Sequence, residues 1–237
     1  LKTGVQLCED RLFEGLFGVF NDSLPDGWGR LLLDRTVEKA GINRRQLSAL
    51  DRLAYVGSHG MGALSYEPDR SSAQEQLTDI QLDTIAEDAS LVLAGENEAV
   101  FAELLQLNGS SGGARPKIVA QVSGDKTHII HGQPALQADH EHWMIKFPSS
   151  SDPSDIAAIE YAYSLLAAKA GLIIPDTHLF AGKKHRYFGI KRFDRDGDQP
   201  RHMHSLCGLI HADHQTPSLD YQSVLNVTYQ LSKNMQE

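Results

Sequence analysis

The sequence is poor in cysteine, poor in positive charge and free of long apolar runs, and each shortage closes off a class of protein. Only two cysteines occur, Cys8 and Cys207, almost the whole chain apart. They make neither a disulfide framework nor a Cys-x-x-Cys metal site, so both are read as reduced, small buried hydrophobes. The 22 Lys and Arg fall short of the 31 Asp and Glu, and the formal charge of −9 argues against a surface built to coat nucleic acid. No apolar run approaches the roughly 20 residues that cross a bilayer, and the start of the chain has neither the charged nor the apolar part of a secretory signal. The expectation is a cytoplasmic protein with no membrane contact and no direct nucleic-acid binding. What is there, 41% hydrophobic and 22% charged residues with 20 Gly and 9 Pro, is the composition of a globular protein. Its length fits one large domain or two small ones. The chain opens on Leu1 instead of Met and closes on a polar stretch at 232–237, so it is expected to be part of a longer gene product.

Along the chain, Asn21, Asp22 and Ser23 are capping residues just before Pro25, which is favoured in a first helical turn. They predict an amphipathic helix through Trp28, Leu31, Leu32 and Arg35, stopped at Gly41. A second helix is expected over 47–54, then a glycine-rich break at 57–62, an apolar strand at 63–66 and a polar linker at 67–77. The apolar spacing from Thr78 to Leu107 reads as helix divided at Gly95. After Leu107 the pattern changes to sheet. Strands are expected at 118–122, 127–130 and 142–148, with a hairpin turn at Gly124-Asp125. A helix from Ile156 to Ala170 is closed by Gly171, strands follow at 177–181 and 187–193, and helix resumes by 218–225. This is an α+β arrangement. Three parts are expected: a mainly helical segment, 1–107; a glycine loop and sheet, 108–195; and the start of a helical lobe, 196–237.

Three places carry the residue types of a phosphate site. Gly-Ser-Ser-Gly-Gly-Ala-Arg-Pro-Lys at 109–117 is a glycine loop between helix and strand, able to cradle phosphate on backbone N–H groups or to serve as a tight connection. It is neither a Gly-x-x-x-x-Gly-Lys loop nor a Gly-x-Gly-x-x-Gly loop. Lys146 stands in an apolar strand, where an unpaired ammonium is costly. Glu160, on the following helix beside the apolar face of Ile156, Ile159, Tyr163 and Leu166, is the partner within reach. A strand lysine held by a helix glutamate is how kinases present a cation to nucleotide phosphates; the same spacing also serves a ligand-free ion pair. Ile190-Lys191-Arg192-Phe193-Asp194-Arg195 ends a strand where a hinge would meet a nucleotide base, or makes a salt-bridged turn. His202, His204, His211 and His214 offer imidazoles for a metal, but the intervening Gly-Leu-Ile at 208–210 reads as core helix. Asp194, Asp196 and Asp198 lack the closing glutamate of a calcium loop and are read as a solvated turn.

Taken in order, the 109–117 loop, Trp-Met-Ile-Lys-Phe-Pro at 143–148, Ile-Glu-Tyr-Ala-Tyr at 159–163, Ala-Gly-Leu-Ile-Ile-Pro at 170–175 and Arg-Phe-Asp-Arg at 192–195 resemble the HipA-type serine/threonine protein kinases. The stretch Phe-Gly-Val-Phe-Asn-Asp-Ser-Leu-Pro-Asp-Gly-Trp-Gly-Arg at 17–30 is similar to the segment before the kinase core in that family, so the likeness covers nearly the whole chain. The resemblance implies a protein-kinase-like fold with a nucleotide-binding lobe and ATP and Mg2+ as cofactors. Lys146 would contact the phosphates with Glu160 as its partner. Ser110, Ser111, Gly112 and Gly113 would form the phosphate-side loop, with Ser110 or Ser111 the autophosphorylated serine. Lys191, Arg192 and Phe193 would form the adenine-side hinge. Lys191 stands where the family's toxin has an acidic residue, so its implied role is through the backbone alone.

The resemblance further implies transfer of the ATP γ-phosphoryl group to a protein serine or threonine, in family members often toxins paired with a DNA-binding antitoxin and acting on aminoacyl-tRNA synthetases. The family's catalytic loop, of the form Asn-x-Asp-x-His-x-x-Asn, and its later magnesium-binding aspartate have no matching segment here. No catalytic residue and no metal ligand is therefore assigned, and these residues alone are expected to be inactive. Two other readings stay open: a degenerate kinase-like module that binds nucleotide or a partner, and a metal-dependent hydrolase built on the histidines.

Overall fold

A computed structural model describes residues 12–71, 77–96, 100–109, 111–132, 135–214, 216 and 219–234. The chain divides into two compact units, residues 24–203 and the two ends, 1–23 with 204–237. Helices from the first hundred residues and the sheet share one core within the larger unit.

In the larger unit, β2 (Lys117–Ser123) and β4 (His140–Lys146) pair antiparallel over their full length. With β1 (Thr78–Asp79), β3 (Ile129–His131), β5 (Thr177–Ala181) and β6 (Arg186–Lys191) they form a sheet of order β1-β3-β2-β4-β6-β5. Alternation along the strands puts Ile118, Ala120, Val122, Trp143, Ile145 and Tyr187 on one buried face. Against them pack Trp28 and Leu32 of α2 (Gly27–Lys39), Ile85 and Val92 of α4 (Leu82–Leu93), and Leu104 and Leu107 of α5 (Phe101–Asn108). Trp143 meets Phe180 edge-on, with ring centroids 6.0 Å apart. Between α2 and α4, α3 (Ala49–Val56) opens on a reciprocal capping box of Ser48 and Asp51. On the other side of the polypeptide path, α6 (Ile156–Lys169) packs on β5 and β6. A two-stranded ribbon, β7 (Arg195–Asp196) with β8 (Gln199–Pro200), follows β6.

The smaller unit holds α1 (Gly18–Asn21), α7 (Leu206–Ile210) and α8 (Tyr221–Ser232). The α1 and α7 backbones meet at paired glycines: a Cβ at Gly18 would lie 1.8 Å from the Gly208 carbonyl oxygen. The Asp22 carboxylate accepts hydrogen bonds from the Ser205 backbone at 2.6 Å and hydroxyl at 2.7 Å. Cys207 is half-buried, and Cys8 lies outside the described residues. No helix among the described residues is long and apolar enough to cross a membrane.

Five expectations change. The cap of α2 is Asp26, not the 21–23 group, because Asp22 is taken by Ser205 and Pro25 precedes the first turn. Residues 63–66 form no strand; the Tyr66 N–H turns back to the Gly57 carbonyl at 3.0 Å. Thr78–Asp79 is an edge strand on β3, not helix, since two residues give no period to read. Asp194 is fully buried between two arginines, although Asp196 and Asp198 are exposed. Ile159, Tyr163 and Leu166 are exposed, and only Ala157 of α6 is buried, because a helix apolar nearly all round does not declare which side is covered.

Replacing Trp143, the fully buried centre of the sheet face, by Ala should cost about 3–5 kcal/mol, read as a lower urea midpoint at unchanged slope.

Candidate functional site

Lys146 is the last residue of β4, so the strand carries its side chain to the sheet's end, on the face that α6 approaches. Its ammonium donates to the Glu160 carboxylate in the second turn of α6 and lies 5.4 Å from the Phe188 ring centre. The predicted pair is formed. Directly opposite in the register stands Lys117, the first residue of β2, so both ammoniums project from the same face.

Lys117 is only 5% exposed and donates to the Gly113 carbonyl at 3.1 Å. Burial, and then the nearby Lys146 charge, lower its pKa to about 8, against the opposing pull of Asp26 and Glu160. The glycine loop lies against the opening turn of α2. There the Trp28 N–H donates to the Gly113 carbonyl at 3.0 Å, and the Gly113 N–H reaches the Asp26 carboxylate at 3.3 Å. A Cβ at Gly27 would sit 2.6 Å from the Ala114 backbone, so a glycine is needed where the loop and helix touch. The Asp-Gly-Trp sequence at 26–28 thus seats the loop that brings Lys117 to Lys146.

Of the loop residues, Gly113 has a φ of +100° and Gly112 is exposed. Ser111 is fully buried, its hydroxyl donating to Asn108 Oδ1 at 2.9 Å. Ser110 lies outside the described residues. At the other end of β6 the expected hinge runs away from this cluster. Lys191 pairs with Trp143, three residues from Lys146 along β4, or roughly 10 Å at about 3.3 Å per residue. Its side chain turns to the opposite face, where Nζ donates to Glu141 at 2.5 Å. Arg192 is buried on Asp194, and the Phe193 side chain is 61% exposed. The Arg192 N–H donates to the His142 carbonyl at 2.8 Å, whereas the Phe193 N–H enters no backbone hydrogen bond among the described residues.

His202 belongs to the larger unit, while His204 and His211 belong to the smaller one, the first 3.7 Å from Asp22 and the second with its ring 5.1 Å from that of Phe13. Among the described residues no three His, Cys, Asp or Glu side chains are grouped to hold a metal. A cavity of about 410 Å³ lies beside Val119, His131 and His142, and Gly109 of the predicted loop, Arg192 and Asp198 are among the residues that line it.

What the arrangement can do is hold a polyanion: two lysine ammoniums, one steadied by a carboxylate and one buried against a backbone carbonyl, at a glycine turn. Sequence reasoning missed Lys117 and Asp26. The signal for Lys117 was of the kind used for Lys146, a cation beside an apolar strand run, although Lys146 was expected within its strand and ends it; Asp26 was hidden as a helix cap whose second oxygen serves the loop.

Comparison with known proteins bears on the same elements. Residues 6–67 match the family described as HipA N-terminal domain, and residues 109–237 match HipA-like C-terminal domain. A solved structure, the Shewanella oneidensis MR-1 toxin–antitoxin system HipA, HipB and operator DNA complex, aligns over 89% of this chain with a TM-score of 0.54 and 14% identity. The chain spans about half, 51%, of the length of that one. The likeness carries the fold, an α+β protein-kinase-like lobe with an antiparallel sheet.

Because the Lys146 charge helps hold the Lys117 pKa down, Lys146→Ala should raise it from about 8 toward the ordinary 10.5. The Lys117 side-chain carbon resonances, followed by NMR across pH 7–11, would read the shift; an unmoved midpoint would place the two ammoniums apart.

Proposed function

The chain belongs to the HipA family, and from that footing we propose that it is the ATP-binding portion of a serine/threonine protein kinase. The observation that carries the reading is the facing pair Lys146 and Lys117, with Glu160 on the helix side and the glycine loop across the top. Two cations this close repel each other, and a phosphate chain is the ligand that turns that repulsion into binding. The N–H of Phe193, which enters no backbone hydrogen bond among the described residues and lies roughly 10 Å along the sheet, would donate to the purine ring in this reading, since the Lys191 and Arg192 side chains are engaged elsewhere.

In this reading the residues bind and orient. Glu160 would hold Lys146 in place for the phosphates of a bound nucleotide, and Lys117, buried against the loop, would add a second charge. In the transfer itself a serine or threonine oxygen bonds to the γ-phosphorus, the bond to the ADP oxygen breaks, and the hydroxyl proton goes to a base. No residue of this chain is given that last role. Magnesium fits as a counter-ion to the phosphates, but the described residues assemble no ligand set for it and no step is assigned to it. Transfer is a proposal for the whole polypeptide, since the chain spans half of the HipA chain it matches. Phosphorylation of Ser111 would require the loop to leave its seat, because that hydroxyl is fully buried.

A DNA-binding antitoxin is the partner proposed. The support is the HipA, HipB and operator assembly of the structural neighbour, together with a charge of −9 that leaves DNA contact to the partner.

Calorimetric titration with ATP tests the site. Lys146→Ala should abolish measurable binding, and Glu160→Gln should weaken it about tenfold, or ~1.4 kcal/mol. Wild-type affinity should fall as pH rises above about 8, where Lys117 loses its charge, and Lys117→Arg should remove that fall because guanidinium stays charged. Unchanged affinity in Lys146→Ala would discard the assignment; metal loss on His204→Ala or His211→Ala would favour the hydrolase reading instead.

A further inference from the structure

The residue after the hinge is tied to a loop more than 130 positions earlier in the chain. Asp194 is fully buried, and its carboxylate accepts four hydrogen bonds. Two come from Arg192, through Nε at 2.9 Å and Nη2 at 2.7 Å; one comes from Arg195 Nη1 at 2.8 Å, and one from the Gly62 backbone N–H at 2.8 Å. Arg195 closes the clamp from the other side, donating to the Gly62 carbonyl at 2.9 Å and the Gly60 carbonyl at 3.1 Å. The Asp194 carbonyl accepts from the Arg201 N–H at 2.9 Å, which fixes the ribbon behind it. Gly62 itself has a φ of +78°, a conformation that a side chain would strain. Burial by itself would raise the Asp194 pKa, but the Arg192 hydrogen bonds and charge, the Gly62 N–H and Arg195 outweigh it and hold the carboxyl below its ordinary value.

None of these groups touches the lysine cluster. They bracket Phe193, whose backbone N–H is left open between an engaged Arg192 N–H and an engaged Asp194 carbonyl. We propose that Asp194 is a positioning residue for the nucleotide base, clamping residues 60–62 to the chain just after Phe193 so that the hinge backbone is held at a set place over the sheet. The proposal rests on the ATP reading above and deepens it. It makes the glycine break at 57–62, which follows the helix α3, a structural part of the base site through the Gly60 and Gly62 backbone.

The consequence is a split between the two ends of the ligand. The phosphate end depends on Lys146 and Lys117; the base end depends on the clamp. Binding of ATP, GTP and inorganic tripolyphosphate to the full chain is measured for wild type, Asp194→Asn and Arg195→Lys. Arg195→Lys keeps the charge and loses the fork to Gly60 and Gly62, so it decides the matter if Asp194→Asn does not fold. Both variants should bind tripolyphosphate as wild type does. Their affinity for ATP should fall about tenfold, and their preference for ATP over GTP should shrink. ATP affinity equal to wild type would overturn the proposal, and so would equal losses for ATP and tripolyphosphate, which mark a general loosening. A wild-type chain that binds none of the three ligands would overturn the phosphate site itself, a result distinct from either.

Discussion

Two ammonium groups on neighbouring strands are an arrangement that a sheet by itself disfavours. The register of β2 and β4 nevertheless sets Lys117 against Lys146, and the same register sets Ile118 against Ile145 in the core. Sliding one strand by a single residue would separate the cations but turn the buried set of β2 outward. The core therefore imposes the electrostatic problem, and the surroundings answer it. Glu160 comes from α6 to one lysine, the Gly113 carbonyl comes from the loop to the other, and Asp26 lies close enough to favour the charged form of Lys117. The loop in turn needs the α2 N-terminal turn to rest on.

Much of this frame was legible in the sequence. Strand β5 falls at the expected 177–181, α6 ends at the expected glycine with φ +91°, and Gly95, at φ +80°, parts α4 from α5. These succeed because alternation, helical period and glycine stops are local signals. The Lys146 and Glu160 pair was legible for a different reason: a cation in an apolar strand has to be answered by a partner within reach. Asp194 was not. Its sequence neighbours Asp196 and Asp198 are solvated, and only the arrival of Gly62 from far along the chain makes that one aspartate an interior group. Long-range closure of that kind leaves no local pattern. Lys117 was hidden because its charge sits at the seam between a loop and a strand, where either element accounts for it.

The division of the chain follows the same logic. A helical first segment and a sheet-forming second one look like separate bodies when read by period, yet the helices have one apolar stripe each and the sheet one uncovered apolar face. Trp28, Leu32, Leu104 and Leu107 fill the space over Ile118 and Trp143, and the two become one core. The short edge strand Thr78–Asp79, donated by the helical segment to β3, completes the union at backbone level.

Both tryptophans of the chain, Trp28 and Trp143, lie in that core, at 2% and 0% exposure. They stand in unlike electrical surroundings. Trp143 lies under the Lys126 ammonium at 4.5 Å from its ring centre. Trp28 is the residue whose backbone N–H holds the glycine loop. The tryptophan emission of the unlabelled protein therefore has two origins: one indole that reports the integrity of the sheet, and one joined through its own main chain to the turn above the two lysines.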